Sequence, residues 1–442
     1  MRADTVVVGA GIAGLACASE LVARGMGDVL VLESAPRAGG AAETVQRGAY
    51  LVERGPNTVR GNDTLRALAK SAGLAVVEAK RAAPYVVSDG ALVRVPPPLR
   101  TLLGGAFLPW RGLAGILAEP LRPVRPGPKS VRALVQERFG AITAERFADL
   151  LTLGVYGTTA EHVGFESAFP ELAAALERAG GRFARLALQR WLARGSGPTR
   201  GGVISTAHGI GGLCERVAAQ LGERLRTSTP LRRARGRTGA FELEIGARGE
   251  TALSCRNLVL AIPPAAASRV LELRDSAALL EAYRAVPQTL ASFALEEPAC
   301  AERWQGLGFL VPSRERLPLL GCLFPSNLFD GRAPRGALSL SVFAARSLCE
   351  ATDAALAAEL SPVLSRLLGA VREPVLLDVA RYPEGIPLYD VGHGERTREL
   401  KTRLEAAHGP ILCGVGYDGV GFGAAAESGE AAARSVLDAA VP

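Results

Sequence analysis

Three glycines and one acid near the N-terminus carry a recognisable chemistry. Gly9, Gly11 and Gly14 follow the β-branched run Thr5-Val6-Val7-Val8, and Glu33 follows Val29-Leu30-Val31-Leu32. The first glycine allows a tight turn after a buried strand. The second lets a pyrophosphate approach the backbone, and the third lets a helix pack close to the sheet. A helix opening through Gly11-Ile12-Ala13, with Ala10 in the turn, aims free N–H groups and its positive dipole end at the phosphates. Glu33 falls about twenty residues later, where a carboxylate can accept a hydrogen bond from a ribose hydroxyl. Glycine turns alone are common. Here the turn follows a strand, opens a helix and has its acid in place, which points to a dinucleotide site.

The next residues narrow the dinucleotide. Glu33-Ser-Ala-Pro-Arg37-Ala-Gly39-Gly40-Ala41 continues as ExxxRxGG. Arg37 is placed to reach back to phosphate, and the glycine pair lets backbone come close to a flat ligand. This pattern resembles the FAD-binding start of the flavin amine oxidase superfamily. Past a hairpin around Arg47-Gly48 comes Gly55-Pro56-Asn57-Thr58, a turn element. From its residues alone it is any surface turn; in the superfamily a GP-containing turn lies beside the isoalloxazine. Near the C-terminus Ile411-Leu-Cys-Gly414 leads into Gly419-Val420-Gly421-Phe422 and a helix from about Ala424. A strand, a glycine loop and a helix start again make an anion cradle. No second complete GxGxxG unit occurs, so no separate NADPH site is expected, which favours an oxidase over a reductase.

Composition bounds the rest. A chain of 442 residues exceeds what one core usually covers, so two or three domains are expected. With 48% hydrophobic and 21% charged residues it is globular, tilted to the apolar side. The net charge of +7 is almost all arginine, and only Lys70, Lys80, Lys129 and Lys401 are lysine. That bias is not read as nucleic-acid binding. A basic balance suits an anionic membrane surface or a polycarboxylate substrate. The seven cysteines are scattered without a CxxC, and the four histidines show no metal-ligand spacing. Reduced thiols in the cytoplasm, no metal and no signal peptide are the expectations.

The elements that would position these residues are those of an α/β chain with a discontinuous, Rossmann-like dinucleotide domain. Its parts are expected at residues 1–80, 196–267 and 406–442. Residues 81–195 are expected to be a helical, membrane-associating insert, and 268–405 a mixed α+β substrate domain. Residues 85–95 read as a hairpin turning at Asp89-Gly90, and Pro96-Pro97-Pro98 then breaks the chain. The stretch Leu99–Leu121 is apolar but holds Pro109, Arg111 and Glu119, too interrupted for a transmembrane span. It is read either as an interfacial hairpin, with Trp110 and Arg111 at headgroup level, or as a buried core helix.

The C-terminal half makes a narrower resemblance. Leu320-Gly-Cys-Leu-Phe324-Pro-Ser-Asn-Leu-Phe-Asp-Gly-Arg-Ala-Pro334 is similar to a block of the oxygen-dependent protoporphyrinogen and coproporphyrinogen oxidases ending in GRAP. Tyr382 through Ile386-Pro387-Leu-Tyr389-Asp-Val-Gly-His393 resembles their W-x-x-A-I-P-Q-Y-x-x-G-H, and Gly306–Pro312 their G-x-G-x-L-V-P. The resemblance runs from residue 4 to about 437. It implies cofactor contacts at the glycine motifs above and also at Leu231, Tyr382 and Gly414. It further implies a mainly apolar substrate slot including Gly308, Leu310 and Phe324. Three departures stand out. Pro84 occupies the place of a propionate-pairing cation, so Arg81 or Arg94 is expected to substitute, unless both are simply solvated. Val415 replaces a usual asparagine, and Leu388 replaces the glutamine of IPQY.

The resemblance implies oxidation of protoporphyrinogen IX to protoporphyrin IX in three hydride transfers to noncovalent FAD, with O2 as final acceptor. Coproporphyrinogen III is the alternative substrate. No catalytic acid or base is named, because developing aromaticity drives the steps. A flavin amine oxidase, a carotenoid desaturase and a non-catalytic tetrapyrrole-binding flavoprotein stay open. Expected partners are the porphyrinogen, O2 and a membrane surface at the inner face of the cell membrane, with a homodimer also allowed.

Overall fold

The computed structural model of the chain describes residues 1–95, 108–192, 201–272 and 274–440. Strand Arg2–Val8 lies between Val29–Leu32 and Thr251–Leu260 and runs parallel to both. Val6, Val7, Val31, Leu32, Val259 and Leu260 are all buried, as unbroken apolar runs require when both sheet faces are covered. Leu225–Arg226 extends one edge, and Ile411–Leu412 pairs in parallel with the end of Thr251–Leu260. Antiparallel strands Ala240–Ile245 and Leu231–Arg237 complete this sheet of seven. Sequence-distant stretches thus meet at the C-terminal ends of its parallel strands.

The helix Ile12–Ala23 packs along the last helix, Phe422–Ala440, which starts slightly before its expected position. Their approach is close. A Cβ at Gly429 would fall 1.9 Å from the Ala13 carbonyl oxygen.

A second sheet of seven strands has the order Val375–Pro387, Ala285–Leu295, Leu338–Ala344, Leu319–Leu323, Gly308–Leu310, Tyr85–Ser88, Ala91–Arg94. Its strands are antiparallel, apart from the parallel pair Gly308–Leu310 and Tyr85–Ser88. The alternation along Ala285–Leu295 sorts its two faces. Ala291, Phe293 and Leu295 join the core under helix Asp353–Leu368, whereas Ala294 packs with Tyr50 and Val52 of the dinucleotide part. The hairpin 85–94 is therefore part of the second sheet, not of the helical segment expected at 81–195. Pairing of Tyr85 with Phe309 supplies the ladder that decides this.

The helical segment includes Trp110–Leu117, Val131–Phe139, Pro170–Arg178 and Phe183–Leu192. A buried ion pair ties it together. Arg138 donates from Nη2 to Glu119 Oε1 at 2.6 Å, and that carboxylate also accepts the N–H groups of Phe183 and Ala184. The Leu99–Leu121 reading falls partly on residues 96–107, outside the described residues. Among those described, no helix is long and apolar enough to cross a membrane.

Candidate functional site

The glycine turn is built as its spacing demands. Gly9 has φ +98°, and a Cβ there would strike the Ala261 oxygen at 2.5 Å. A Cβ at Gly14 would lie 1.8 Å from the Gly9 oxygen, so helix and turn touch through backbone. Gly11 is the open place. A Cβ there would meet no atom within 4 Å, no side chain caps the helix start, and its first turn holds no acid. These free N–H groups and the space above them fit a pyrophosphate.

Glu33 sits at the end of its strand and is buried. Its Oε2 accepts the Ala10 N–H at 2.7 Å, and its Oε1 accepts the Ala35 N–H at 2.8 Å. The carboxylate thus pins the turn and keeps lone pairs for a ribose hydroxyl. The Thr229 N–H donates to the Glu33 backbone carbonyl at 2.8 Å, which brings Leu231, two residues on, to the same end of the groove.

The Arg37 guanidinium donates to the carbonyls of Ala38, Gly40 and Ala42 and pairs with Glu43 at 3.3 Å. It shapes its own loop. That loop folds onto the first turn: the Gly39 N–H donates to the Ala10 carbonyl, and a Cβ at Gly40 would meet Gly11 Cα at 3.3 Å.

The GP turn arrives at the same place. A Cβ at Gly55 would fall 1.9 Å from the Ala41 oxygen, so Gly55-Pro56 lies directly on the glycine-pair loop. Asn57 is buried, donates to the Gly55 carbonyl at 3.0 Å and accepts from Ser341 Oγ at 3.0 Å. Thr58 is exposed. From the second sheet, the Tyr382 hydroxyl donates to the Arg54 carbonyl at 2.9 Å and lies 3.3 Å from that of Ala41. The C-terminal loop closes the ring, with Gly414 near Ala13 and Gly421 exposed at the start of the last helix. Val420 and Phe422 are half-buried on either side of Gly421. Motifs 9–14, 33–41, 55–57, 382 and 414–422 thus converge.

On the substrate side, Gly308 is buried with φ +133°, and a Cβ would strike the Cys322 oxygen at 2.1 Å. Leu310 is half-buried beneath the helical turn Leu153–Tyr156, and a Cβ at Gly154 would meet its Cδ2 at 3.8 Å. Asp149 holds that turn to the sheet by accepting from Ser313 Oγ at 2.5 Å and from the Ala160 N–H at 3.1 Å. Phe324 does not face the slot. It is fully buried in the core beneath the sheet, edge-on to Phe309, because its residue caps the short helix Pro325–Leu328. Arg81 and Arg94 are both exposed, and neither has an ion-pair partner among the described residues. Arg94 lies on the edge strand opposite Tyr85.

With this geometry in place, comparison with known proteins decides the family. The flavin-containing amine oxidoreductase profile matches residues 12–437. The chain belongs to this family. It is an oxidoreductase, and its dinucleotide is FAD. Protoporphyrinogen oxidase of Nicotiana tabacum chloroplasts is 28% identical, over 98% of this chain and 85% of that one. Coproporphyrinogen III oxidase of Bacillus subtilis is 22% identical over 99% and 98%, and that of Mycobacterium tuberculosis 28% over 98% and 97%. Among solved structures, a protein of Exiguobacterium sp. 255-15, assigned as a protoporphyrinogen oxidase, superposes with TM-score 0.81 at 22% identity. It covers 99% of both chains. Reduced UDP-galactopyranose mutase superposes at 0.76 with 15% identity, so likeness at this level shows the fold alone.

Several buried polar residues near these motifs escaped the motif reading. Arg332 and Glu53 form a buried pair at the junction of the two sheets. The Tyr389 hydroxyl bonds the C-terminal loop at Val415 and Gly419. Arg332 lies inside the GRAP block and Tyr389 inside the IPxYxxGH block, so the signal was present without its meaning. Gln288 is 8% exposed and sends Nε2 to the Gly157 carbonyl at 3.3 Å, while its Oε1 has no partner. It sits in an ordinary strand sequence and had no local signal. Among the described residues no cluster could hold a metal ion.

Proposed function

We propose that this oxidoreductase converts a porphyrinogen to the porphyrin, with protoporphyrinogen IX as substrate and O2 as final electron acceptor. Coproporphyrinogen III is the alternative. The observation that carries this reading is the extent of the likeness. Relatives bearing both porphyrinogen oxidase names align along nearly the whole chain, through the blocks that contain Arg332 and Tyr389.

When bound, FAD supplies the two-electron acceptor, and the protein supplies binding and orientation. The helix start at Gly11 holds the pyrophosphate, and Glu33 holds the ribose. Ala41, Gly55 and Tyr382 frame one end of the ring system. Leu310, under the turn Leu153–Tyr156, offers an apolar wall to a largely apolar macrocycle. No side chain is assigned as acid or base. An aerobic fluorescence assay with each porphyrinogen tests the reading. Porphyrin emission with one or both is expected, and emission with neither overturns it.

We further propose peripheral attachment to the inner face of the cell membrane. The described helical segment leaves Trp110 and Trp191 each 73% exposed and Leu121 87% exposed. Arg111 stacks over the Trp110 ring at 5.4 Å, a pairing of aromatic and cation suited to a headgroup layer. Flotation with anionic liposomes tests this. Protein left at the bottom of a low-salt gradient rules it out.

A further inference from the structure

The C-terminal glycine loop between Gly414 and Gly421 is anchored at its start, where the Gly414 N–H donates to Ser428 Oγ at 2.9 Å and the Gly414 carbonyl accepts from the Tyr417 and Asp418 N–H groups. Ser428 Oγ also donates to Asp418 Oδ2 at 2.6 Å, and Tyr389 bridges the rest of the turn. The Tyr389 hydroxyl donates to the Val415 carbonyl at 2.9 Å and accepts the Gly419 N–H at 2.6 Å. A single buried oxygen therefore closes the two ends of a tight turn. Gly419 has φ +117°, a conformation that only glycine adopts readily, so the turn also depends on glycine at this position.

The ring of Tyr389 is fixed from both sides. His393 stacks on it at 3.9 Å with 21° between planes, and Tyr156 of the helical segment packs at 5.8 Å. Tyr283 meets His393 edge-on at 5.2 Å. Both nitrogens of His393 are buried without a hydrogen-bond partner, so here the imidazole serves as a flat apolar slab. Val420 packs against the same core that contains Tyr389 and Tyr156. Tyr389 thus touches the helical turn Leu153–Tyr156 and the C-terminal loop at once.

We propose that Tyr389 is a positioning residue that clamps the Val415–Gly419 turn in the conformation FAD requires. It acts through backbone and does not itself react. Removing the hydroxyl takes away the partner that joins the half-buried Val415 carbonyl to the Gly419 N–H, so the turn relaxes. Val420 and Gly421 then lose their fixed approach to the flavin.

The test compares Tyr389→Phe with Tyr283→Phe. The Tyr283 ring packs edge-on to His393 and to Tyr417 of the loop, and the phenylalanine keeps those contacts, but its hydroxyl, 2.9 Å from Thr397 Oγ1, makes no hydrogen bond to the loop. FAD release from each holoprotein is followed by the rise in flavin fluorescence on dilution, alongside the visible absorbance and circular dichroism of bound flavin. Release about ten- to a hundredfold faster from Tyr389→Phe, with an altered flavin spectrum, is expected. Tyr283→Phe should lower the melting temperature yet release FAD at the wild-type rate. Equal release from Tyr389→Phe and wild type, or equally fast release from both variants, overturns the proposal. If Tyr389→Phe does not fold, amide exchange in the wild-type chain decides. FAD should slow exchange within 415–421, and unchanged exchange there overturns the clamp.

Discussion

Arg332 and Glu53 face each other at 3.8 Å, both buried, one from the second sheet's GRAP block and one from the hairpin beside the flavin groove. They are joined mainly through third parties. Glu53 accepts from Thr44 Oγ1 at 2.6 Å and from the Ile210 N–H at 2.9 Å, which caps the helix Gly209–Leu221. Arg332 donates to Ser205 Oγ at 2.8 Å and to the Thr206 carbonyl at 3.0 Å. Burial raises the Glu53 pKa, opposed by the Thr44 and Ile210 bonds and the Arg332 charge.

This pair predicts an asymmetric mutational response. Arg332→Ala should destabilise the fold by about 3–5 kcal/mol, because it leaves a buried carboxylate without its cation. Combining Arg332→Met with Glu53→Gln should recover a good part of that loss. Urea unfolding of both variants checks it. A double variant no more stable than Arg332→Ala would mean that the charges themselves are not what couples the sheets.

Two glycines of the same motif should fail differently. At Gly11, with φ −69° and open space around the missing Cβ, Gly11→Val should fold normally and purify without flavin. At Gly14 the Cβ would collide with the Gly9 oxygen at 1.8 Å, so Gly14→Ala should lose stability as well as flavin. Flavin absorbance and the melting temperature of each purified protein separate the two outcomes. A yellow Gly11→Val protein would move the pyrophosphate away from this helix.

The contrast shows what was legible in the sequence. Gly9, Gly11, Gly14 and Glu33 were readable because their work depends on spacing along one strand-turn-helix unit. The parallel core was readable from its unbroken apolar runs. The local partners of Arg37 and the places of Phe324 and the hairpin 85–94 were not legible for a common reason: distant or backbone partners choose their destinations. Arg37 found three carbonyls in its own loop, and Phe324 found Phe309 beneath the sheet. Tyr389 stood within a readable motif, but its partners, Val415 and Gly419, became visible only in the fold.

FAD should be noncovalent. Cys413 is buried, and burial pushes its thiol up to about 12, so it is a poor nucleophile toward the flavin. Acid precipitation should release free flavin into the supernatant. Colour that stays with the pellet after proteolysis would identify a covalent link.

Stability should fall on mild acidification. Burial, with the nearby Arg396 charge, pushes His393 down to about 4, opposed by Asp418. The unfolded chain binds a proton at this site near pH 6.5, while the folded one resists it until about pH 4. Above pH 6.5 both forms are neutral and the site is silent. Between these values the unfolded state gains protons, so stability is lost as pH falls, by about 1–3 kcal/mol in all. Urea unfolding at pH 7, 6 and 5 measures the slope. His393→Phe, which keeps the stack without a titrating group, should flatten it. An unchanged slope in that variant would assign the acid sensitivity to another group.

Arg81 and Arg94 give the sharpest check on how the substrate is held. Both are exposed, and Arg94 stands on the edge strand of the second sheet opposite Tyr85, where solvent screens any ion pair. Such contacts contribute about 0–1 kcal/mol, so Arg81→Ala and Arg94→Ala should each raise KM no more than about fivefold. The chemical step should keep its kcat, because uniform binding lost at the periphery does not enter the transition state selectively. The effect should shrink further at high salt. A loss of kcat/KM of ten- to a hundredfold, insensitive to salt, would point the other way. It would mean that the segment 81–94 closes over bound substrate and buries a charge-assisted hydrogen bond, which is worth about 1.5–3 kcal/mol.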